Sequence, residues 1–156
     1  MTLSWDLQLL APPSIPEAEA GWLDGLWEHD VVEFFLRGSS PTPYLELEFG
    51  PGGHWLALSF DEVRQRSAEL RDLVPADLSN EVTDKRWRGR AALPVAVIER
   101  VAGARPWHGM ACAVLGRGPG SERAHLSWPT LEGQPLDFHC PDRWAPLLPG
   151  VGPSLS

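Results

Sequence analysis

Basic residues are scarce in this chain, and lysine is almost absent. Lysine and arginine together number 13 against 21 aspartates and glutamates, Lys85 is the single lysine, and the formal net charge is −8. A nucleic-acid-binding surface needs a basic excess or stripe to neutralise phosphates. Attachment to an anionic membrane surface needs the same. The composition therefore predicts neither partner, and solubility is the simplest explanation of the negative charge.

The chain also lacks a long apolar run. No stretch approaches the roughly 18 apolar residues that a membrane-spanning helix needs. The first residues, MTLSWDLQLLAPPS, have no basic region before their short apolar run, so they match a secretory signal poorly. We therefore expect a cytoplasmic protein, with an extracellular mature form as the alternative.

Cysteine is scarce too, with Cys112 and Cys140 as the two residues. Their spacing is unlike that of paired zinc ligands, and whether they form a disulfide depends on a distance that sequence does not give. The acidic residues Asp24, Glu28 and Asp30 follow no EF-hand pattern and indicate solvated charge. The sequence therefore predicts no metal site and no cofactor.

Signatures of catalysis are missing as well. Neither a Gly-x-Ser-x-Gly nucleophile elbow nor a phosphate-binding loop occurs, because no lysine follows the glycine-rich stretch 116–120. The sequence identifies no catalytic residue, and we expect a protein that is not an enzyme.

Glycine and proline, by contrast, are abundant, at 15 and 16 residues. Both residue types break helices and form turns, so they predict many short elements. The run 31–36 is apolar on both faces apart from Glu33, which is typical of a central strand. Residues 44–49 alternate in polarity, and with the turn at 50–53 and residues 54–60 they predict a β-hairpin.

Further strands are expected over 3–10, 86–93, 107–115 and 123–128, while 95–101 fits either a strand or a turn of helix. Residues 61–73 are predicted to form the one short helix, because Val63, Ser67, Leu70 and Leu73 are spaced by three or four. We therefore predict an all-β domain over 1–145, followed by a flexible tail over 146–156. The expected architecture is a two-sheet antiparallel β-sandwich of the immunoglobulin-like or jelly-roll type.

Four patterns along the chain resemble carbohydrate-binding module family 9 and its DOMON-like relatives. In order, they are LWEHDVVEFFL at 26–36, YLELEFGPGGHW at 44–55, the step from Trp87 to Pro94, and LSWPT at 126–130 followed by Phe138, His139 and Pro141. They span residues 26–144. The resemblance implies a β-sandwich that binds a small saccharide or another polar ligand. Many DOMON-like relatives are free-standing bacterial proteins.

Two other functions fit the same resemblance. The ancestral groove of such a domain can be degenerate, in which case the domain serves as a protein-interaction or structural unit. Some DOMON domains hold heme through a methionine and a histidine, and Met110 beside His108 is the pair that this chain offers. We favour the heme function less than the other two.

Tryptophan, with eight residues, supplies the first candidates for a ligand site. Sugars stack their apolar ring faces on aromatic planes, while polar side chains hold the hydroxyls. Trp5 and Trp87 alternate with polar neighbours and are predicted to lie in the core. Trp27, Trp107 and Trp128 lie at loop or strand ends, where they could equally face a ligand or fill the core.

Glu33, Arg64 and His139 supply the polar candidates. Glu33 is a lone carboxylate in a run of buried hydrophobes, and a buried charge must be paired or hydrogen-bonded. An arginine could satisfy it through a bidentate contact. The three residues are therefore predicted either to form the polar floor of a ligand groove or to tie strands together inside the fold.

Overall fold

Two β-sheets pack face to face in a computed structural model that describes residues 1–116, 122–131 and 137–147 and the backbone of 154–155. The predicted sandwich is confirmed, and its pairing is antiparallel except between the first and last strands. Within the described ranges, no helix is long and apolar enough to cross a membrane.

The first sheet contains four strands of the described chain. They are β1 (Thr2–Gln8), β6 (Asp77–Val82), β7 (Arg86–Ala92) and β11 (Ser154–Leu155), in the spatial order β11-β1-β7-β6. Most of the predicted tail after residue 146 lies outside the described residues.

The second sheet contains seven described strands and carries the candidate site. They are β2 (Val31–Arg37), β3 (Tyr44–Phe49), β4 (Trp55–Glu62), β5 (Gln65–Glu69), β8 (His108–Leu115), β9 (Ala124–Trp128) and β10 (Ala145–Pro146). The order is β10-β8-β2-β3-β4-β5, and β9 also pairs with β8. Every residue of β2 is buried, as the apolar run predicted for a central strand.

The predicted helix over 61–73 is wrong. These residues complete β4, turn at Val63 and Arg64, and return as β5, whose side chains are all exposed. Pairing with β5 satisfies the backbone groups along the edge of β4, which a short exposed helix would have left unpaired. The helix found in the described chain is α1 (Val95–Ala102), which follows Pro94 and ends before Gly103, where φ is 86°.

The core between the sheets is aromatic. Trp5 stacks on Phe49 at 5.4 Å between ring centroids and meets Trp87 edge-on at 5.7 Å, so the prediction of core positions for Trp5 and Trp87 is confirmed. Gly89 pairs with Trp5 across the β1–β7 ladder, and a Cβ added there would lie 2.2 Å from the Trp5 ring. Glycine at 89 is therefore what lets this ring lie flat against its own sheet.

The seven-stranded sheet has a second apolar layer on the side that faces away from the first sheet, which we call its outer face. The layer includes Phe35, Tyr44, Leu58, Met110 and Trp144. The chain around the 3₁₀ helix Leu26–Glu28 and the chain around the 3₁₀ helix Pro141–Arg143 also contribute to this layer. The outer face is thus partly covered, and the candidate site lies between these two coverings.

Candidate functional site

A cavity of about 480 Å³ opens on the outer face of the seven-stranded sheet. Its walls combine aromatic, acidic and basic side chains, which is the mixture expected of a site for a polar small molecule. The lining residues are Trp27, Glu33, Phe35, Glu46, Leu58, Phe60, Arg64, Arg66, Val114, Arg123, His125, Phe138 and His139.

Three glutamates form the floor of this cavity and the layer just beneath it. Glu33 on β2 pairs directly with Glu48 on β3, and Glu46 points to the same face two residues earlier. All three side chains are buried: Glu33 is 5% exposed, Glu46 6% and Glu48 0%. One carboxylate oxygen from each lies within 4.8 Å of the others, so the strand register itself concentrates negative charge at this point.

Burial and mutual repulsion favour the protonated form of these carboxyls. Burial raises the pKa of Glu33, and burial together with the Glu33 charge raises the pKa of Glu46 to about 8. Burial and the charges of both neighbours raise the pKa of Glu48 well above its ordinary value. Two full charges about 5 Å apart repel by about 3 kcal/mol at an effective dielectric constant of about 20. Full ionisation of all three groups is therefore costly.

The partner of Glu33 is a cysteine. Cys112 lies opposite Glu33 in the β2–β8 ladder and donates its thiol hydrogen to Glu33 Oε2 at 3.1 Å. Burial raises the pKa of the Cys112 thiol well above its ordinary value, so the group stays a neutral donor. Among the described residues Glu33 makes no ion pair with an arginine, and Arg64 pairs instead with Asp137 at 2.8 Å. Cys112 and Cys140 are both free thiols.

A short hydrogen-bond chain joins the hairpin tip to the cavity wall. The Tyr44 hydroxyl accepts the Arg64 backbone N–H at 3.0 Å and lies 2.7 Å from His139 Nδ1. The hydroxyl hydrogen is therefore directed at Nδ1, which leaves the His139 Nε2–H facing Glu46 Oε2 at 3.7 Å. Burial and the nearby Arg64 charge lower the pKa of His139 to about 4, so its ring is neutral at pH 7.

Arg123 fixes the opposite wall of the cavity. Its guanidinium donates to the backbone carbonyls of Trp27, at 2.6 Å, and of His29 and Val114. The 3₁₀ turn that carries Trp27 is thereby held against the end of β8. The Trp27 side chain stays 41% exposed, which leaves its ring accessible to a ligand.

The structure brings four of the six sequence-predicted site residues together. Trp27, Glu33, Arg64 and His139 line the cavity. Trp107 lies in the core, where its indole N–H donates to the Gly103 carbonyl at 2.8 Å. The sixth residue, Trp128, is 42% exposed at the end of β9 and is not part of the lining. Whether any of these residues binds a ligand stays a prediction.

The sequence did not single out several residues of the cavity lining, or Glu48 beneath it. Glu46 and Glu48 alternate with apolar residues in β3, and this pattern placed them on one face without showing that the face is covered. Arg66, Arg123 and His125 gave no distinctive local signal. For the heme alternative, Met110 is fully buried in the outer-face layer and is not part of the cavity lining.

Known proteins resemble this chain in sequence and in fold. No family model matches the chain. The chain is 33% identical over 93 residues, 56% of its length, to the UPF0462 protein C4orf33 homolog of Danio rerio. That match covers 46% of the fish protein, so the chain spans about half the length of this curated relative.

The sandwich also resembles the crystal structure of a candidate carbohydrate-binding protein from Bacteroides uniformis. The TM-score is 0.70 at 16% identity, and the likeness covers 90% of this chain and 69% of the other. At this level of identity the likeness shows a shared fold. Membership of carbohydrate-binding module family 9 or of the DOMON-like group stays a prediction.

Proposed function

We propose that the outer-face cavity binds a small saccharide or a similar polyhydroxylated ligand, without catalysis. The observation that carries this proposal is the pairing of an accessible aromatic ring, Trp27, with buried carboxyl groups, Glu33 and Glu46, across one cavity of about 480 Å³. An aromatic plane and hydroxyl-binding polar groups are the two features that sugar recognition needs.

Each part of the cavity would have a distinct task in such a complex. The Trp27 indole, with Phe138 in the same lining, offers apolar surface to the carbon face of a sugar ring. Glu33 and Glu46 offer acceptors, and with their raised pKa values also donors, to hydroxyl groups. Arg66 and His125 at the rim add donors for hydroxyls near the entrance.

The fold neighbour supports the proposal, because a protein of the same architecture is described as a candidate carbohydrate binder. The motif resemblance to carbohydrate-binding module family 9 points the same way. The rival function, a degenerate domain that serves as an interaction or structural unit, would be favoured by a groove filled with its own side chains. The described residues leave the cavity volume given above, so we prefer the binding function.

A saccharide screen followed by calorimetry tests the proposal. The purified protein would be titrated with a panel of neutral, amino and acidic mono- and disaccharides, first by intrinsic tryptophan fluorescence. We expect saturable binding of at least one sugar in the micromolar to millimolar range. Trp27→Ala should weaken that binding about fivefold or more, because a stacked aromatic pair contributes about 1 kcal/mol or more.

Trp128→Ala is the matched control. Trp128 is as exposed as Trp27 but is not part of the cavity lining, so its loss should leave the affinity unchanged. Equal weakening by both variants would place binding elsewhere on the surface. Absence of binding to every sugar at millimolar concentration would contradict the proposed function, and hydrolysis of a bound sugar would contradict its non-catalytic part.

A further inference from the structure

The three floor glutamates hold a geometry that suits a metal ion. Glu33 and Glu48 are fixed opposite each other by the β2–β3 ladder, and Glu46 is fixed on the same face. One oxygen from each lies within 4.8 Å of the other two. Because three backbone positions in two paired strands set this arrangement, it does not depend on long flexible side chains finding each other.

A second observation is the unpartnered state of Glu48. Its side chain is fully buried, and apart from a contact with the Glu46 carboxyl inside the cluster neither oxygen has a hydrogen-bond partner among the described residues. Buried polar atoms in native proteins are nearly always satisfied, so a buried carboxylate that no group outside the cluster satisfies points to a ligand at this position. Its carboxylate contributes one of the three clustered oxygens, so the unsatisfied group is directed into the cluster.

The arginines that line the cavity already have partners. Arg64 pairs with Asp137 at 2.8 Å, and Arg66 pairs with Asp24 at 3.0 Å. Arg123 donates to the backbone carbonyl of Trp27. None of the ion pairs in the described chain joins one of these arginines to a floor glutamate. Their charges act on Glu33 and Glu46 from a distance, so the floor offers its carboxyl oxygens without a direct arginine contact.

We propose that Glu33, Glu46 and Glu48 bind one divalent cation of the hard, oxygen-preferring class beneath the cavity. Calcium binds oxygen at about 2.3–2.6 Å, so two of its ligands can be up to about 5 Å apart, which accommodates the observed spacing. Magnesium, at about 2.0–2.1 Å, demands near-ideal octahedral geometry and gives up its water reluctantly, which three carboxylates fixed by a sheet suit less well. We therefore expect calcium to bind more tightly than magnesium.

Glu33 and Glu46 line the cavity whereas Glu48 lies beneath it, so the open side of the ion would face the cavity. Water or ligand hydroxyl groups could complete the coordination shell from that side. The protein would supply the fixed anionic half of the shell.

This inference goes beyond the proposed function and does not depend on it, because the metal alone is the probe. Protein treated with chelator and then exchanged into chelator-free buffer would be titrated with CaCl₂ by calorimetry. A parallel titration with Tb³⁺ would follow its luminescence, sensitised by the indole of Trp27. We expect one equivalent of Ca²⁺ to bind with a dissociation constant below about 1 mM.

Glu48→Gln should weaken Ca²⁺ binding by about tenfold or more. Glu28→Gln is the matched control, because Glu28 is an exposed acid in the nearby 3₁₀ turn, and it should bind as the unmodified protein does. Glu46→Gln replaces Glu48→Gln if the latter fails to fold. Circular dichroism in the presence of chelator verifies that each variant is folded.

Two outcomes would overturn the cation site. One is the absence of saturable binding of Ca²⁺, Mg²⁺ or Mn²⁺ up to about 1 mM. The other is unchanged Ca²⁺ affinity in folded Glu48→Gln and Glu46→Gln, which would place the ion elsewhere. The saccharide screen run with Ca²⁺ and with chelator separates the two proposals: Ca²⁺ binding without any sugar binding would leave the cation site standing and remove the proposed function.

Discussion

Glu33 and Glu48 face each other across neighbouring strands with both carboxyl groups buried. Like charges directly opposite each other in a sheet are destabilising, and burial adds the cost of removing each charge from water. Apolar side chains, like those of Phe34 and Leu47 beside them in the two strands, would stabilise this layer more. The fold therefore carries an unfavourable local arrangement at the point where the cavity lies, which is typical of a functional site.

Removing one of these carboxylates should stabilise the metal-free protein. We expect Glu48→Gln to raise the free energy of unfolding at pH 8 in chelator by about 1–3 kcal/mol. The folded protein has to keep the Glu48 carboxyl protonated at a pH where the unfolded chain ionises it, and glutamine removes that cost while it keeps the side-chain shape. Urea-induced unfolding measures the change. Glu81→Gln, at an exposed position on β6, should change stability by less than about 0.5 kcal/mol. A loss of stability in Glu48→Gln would mean that Glu48 has a favourable partner in the fold.

Acidification should also stabilise the metal-free protein between pH 8 and pH 6.5. The pKa of Glu46 is raised from 4.5 to about 8, so the folded protein holds a proton that the unfolded chain has lost in this interval. Stability therefore falls as the pH rises through the window, by about 1–2 kcal/mol for one proton. The ionisable groups around Glu46 are Glu33, Glu48, His139, Arg64 and Arg66.

The lower limit of that window is set by His139. Its pKa is lowered to about 4 from 6.5, so below pH 6.5 the unfolded chain takes up a proton that the folded chain does not. That uptake opposes the Glu46 effect, and the two slopes are distinguishable only above pH 6.5. Thermal melting in chelator at pH 6.5 and 8 is the measurement. Glu46→Gln should reduce the difference in melting temperature between the two pH values. An unchanged difference in that variant would assign the pH effect to other groups.

A single methyl group should disrupt the core between the sheets. A Cβ at position 89 would lie 2.2 Å from the Trp5 ring, which is itself held between Phe49 and Trp87. We expect Gly89→Ala to destabilise the protein by about 1–3 kcal/mol or more in urea unfolding. Arg88→Ala on the same strand removes only exposed ion pairs and should have a small effect. Equal stabilities of the two variants would show that Trp5 does not lie over Gly89.

The hairpin tip that carries Arg64 should prefer glycine. Arg64 has a φ of 62°, which residues with a Cβ adopt at a cost. Arg64→Gly should therefore be more stable than Arg64→Ala by about 1 kcal/mol, although both variants lose the exposed ion pair with Asp137. Because both variants lack the arginine side chain, the difference between them in thermal melting measures the free-energy cost of the positive φ at this position. If alanine were as stable as glycine, the tip would not be in the left-handed region.

The strands were predictable where burial produces a local pattern of apolar residues in the sequence. The run 31–36 is apolar on both faces because β2 is covered on both sides. Residues 44–49 alternate in polarity because one face of β3 points into the core between the sheets. The helix predicted over 61–73 was wrong. The prediction relied on four residues at helical spacing, although the residues between them are exposed. Pairing with the edge of β4 is a non-local interaction that the local spacing does not contain.

The candidate site was predictable only in part, for a related reason. Glu33 stood out because it interrupts an apolar run. Glu46 and Glu48 looked like the solvated side of a hairpin, since nothing local shows that segments about 20 residues before and 90 residues after them cover that face. Trp107 lies at the start of a strand, where the sequence does not tell a core residue from a surface one.

Chemical-shift mapping of saccharide binding tests the central claim most directly. A two-dimensional ¹H–¹⁵N spectrum resolves the indole N–H signals of the tryptophans, which report on the cavity and on sites away from it in one titration. We predict that a sugar shifts the Trp27 signal and the backbone signals of Glu33, Glu46 and His139, while the Trp128 signal stays in place. A sugar that shifts Trp128 and leaves Trp27 unchanged, or a panel that shifts no signal at millimolar concentration, would contradict it.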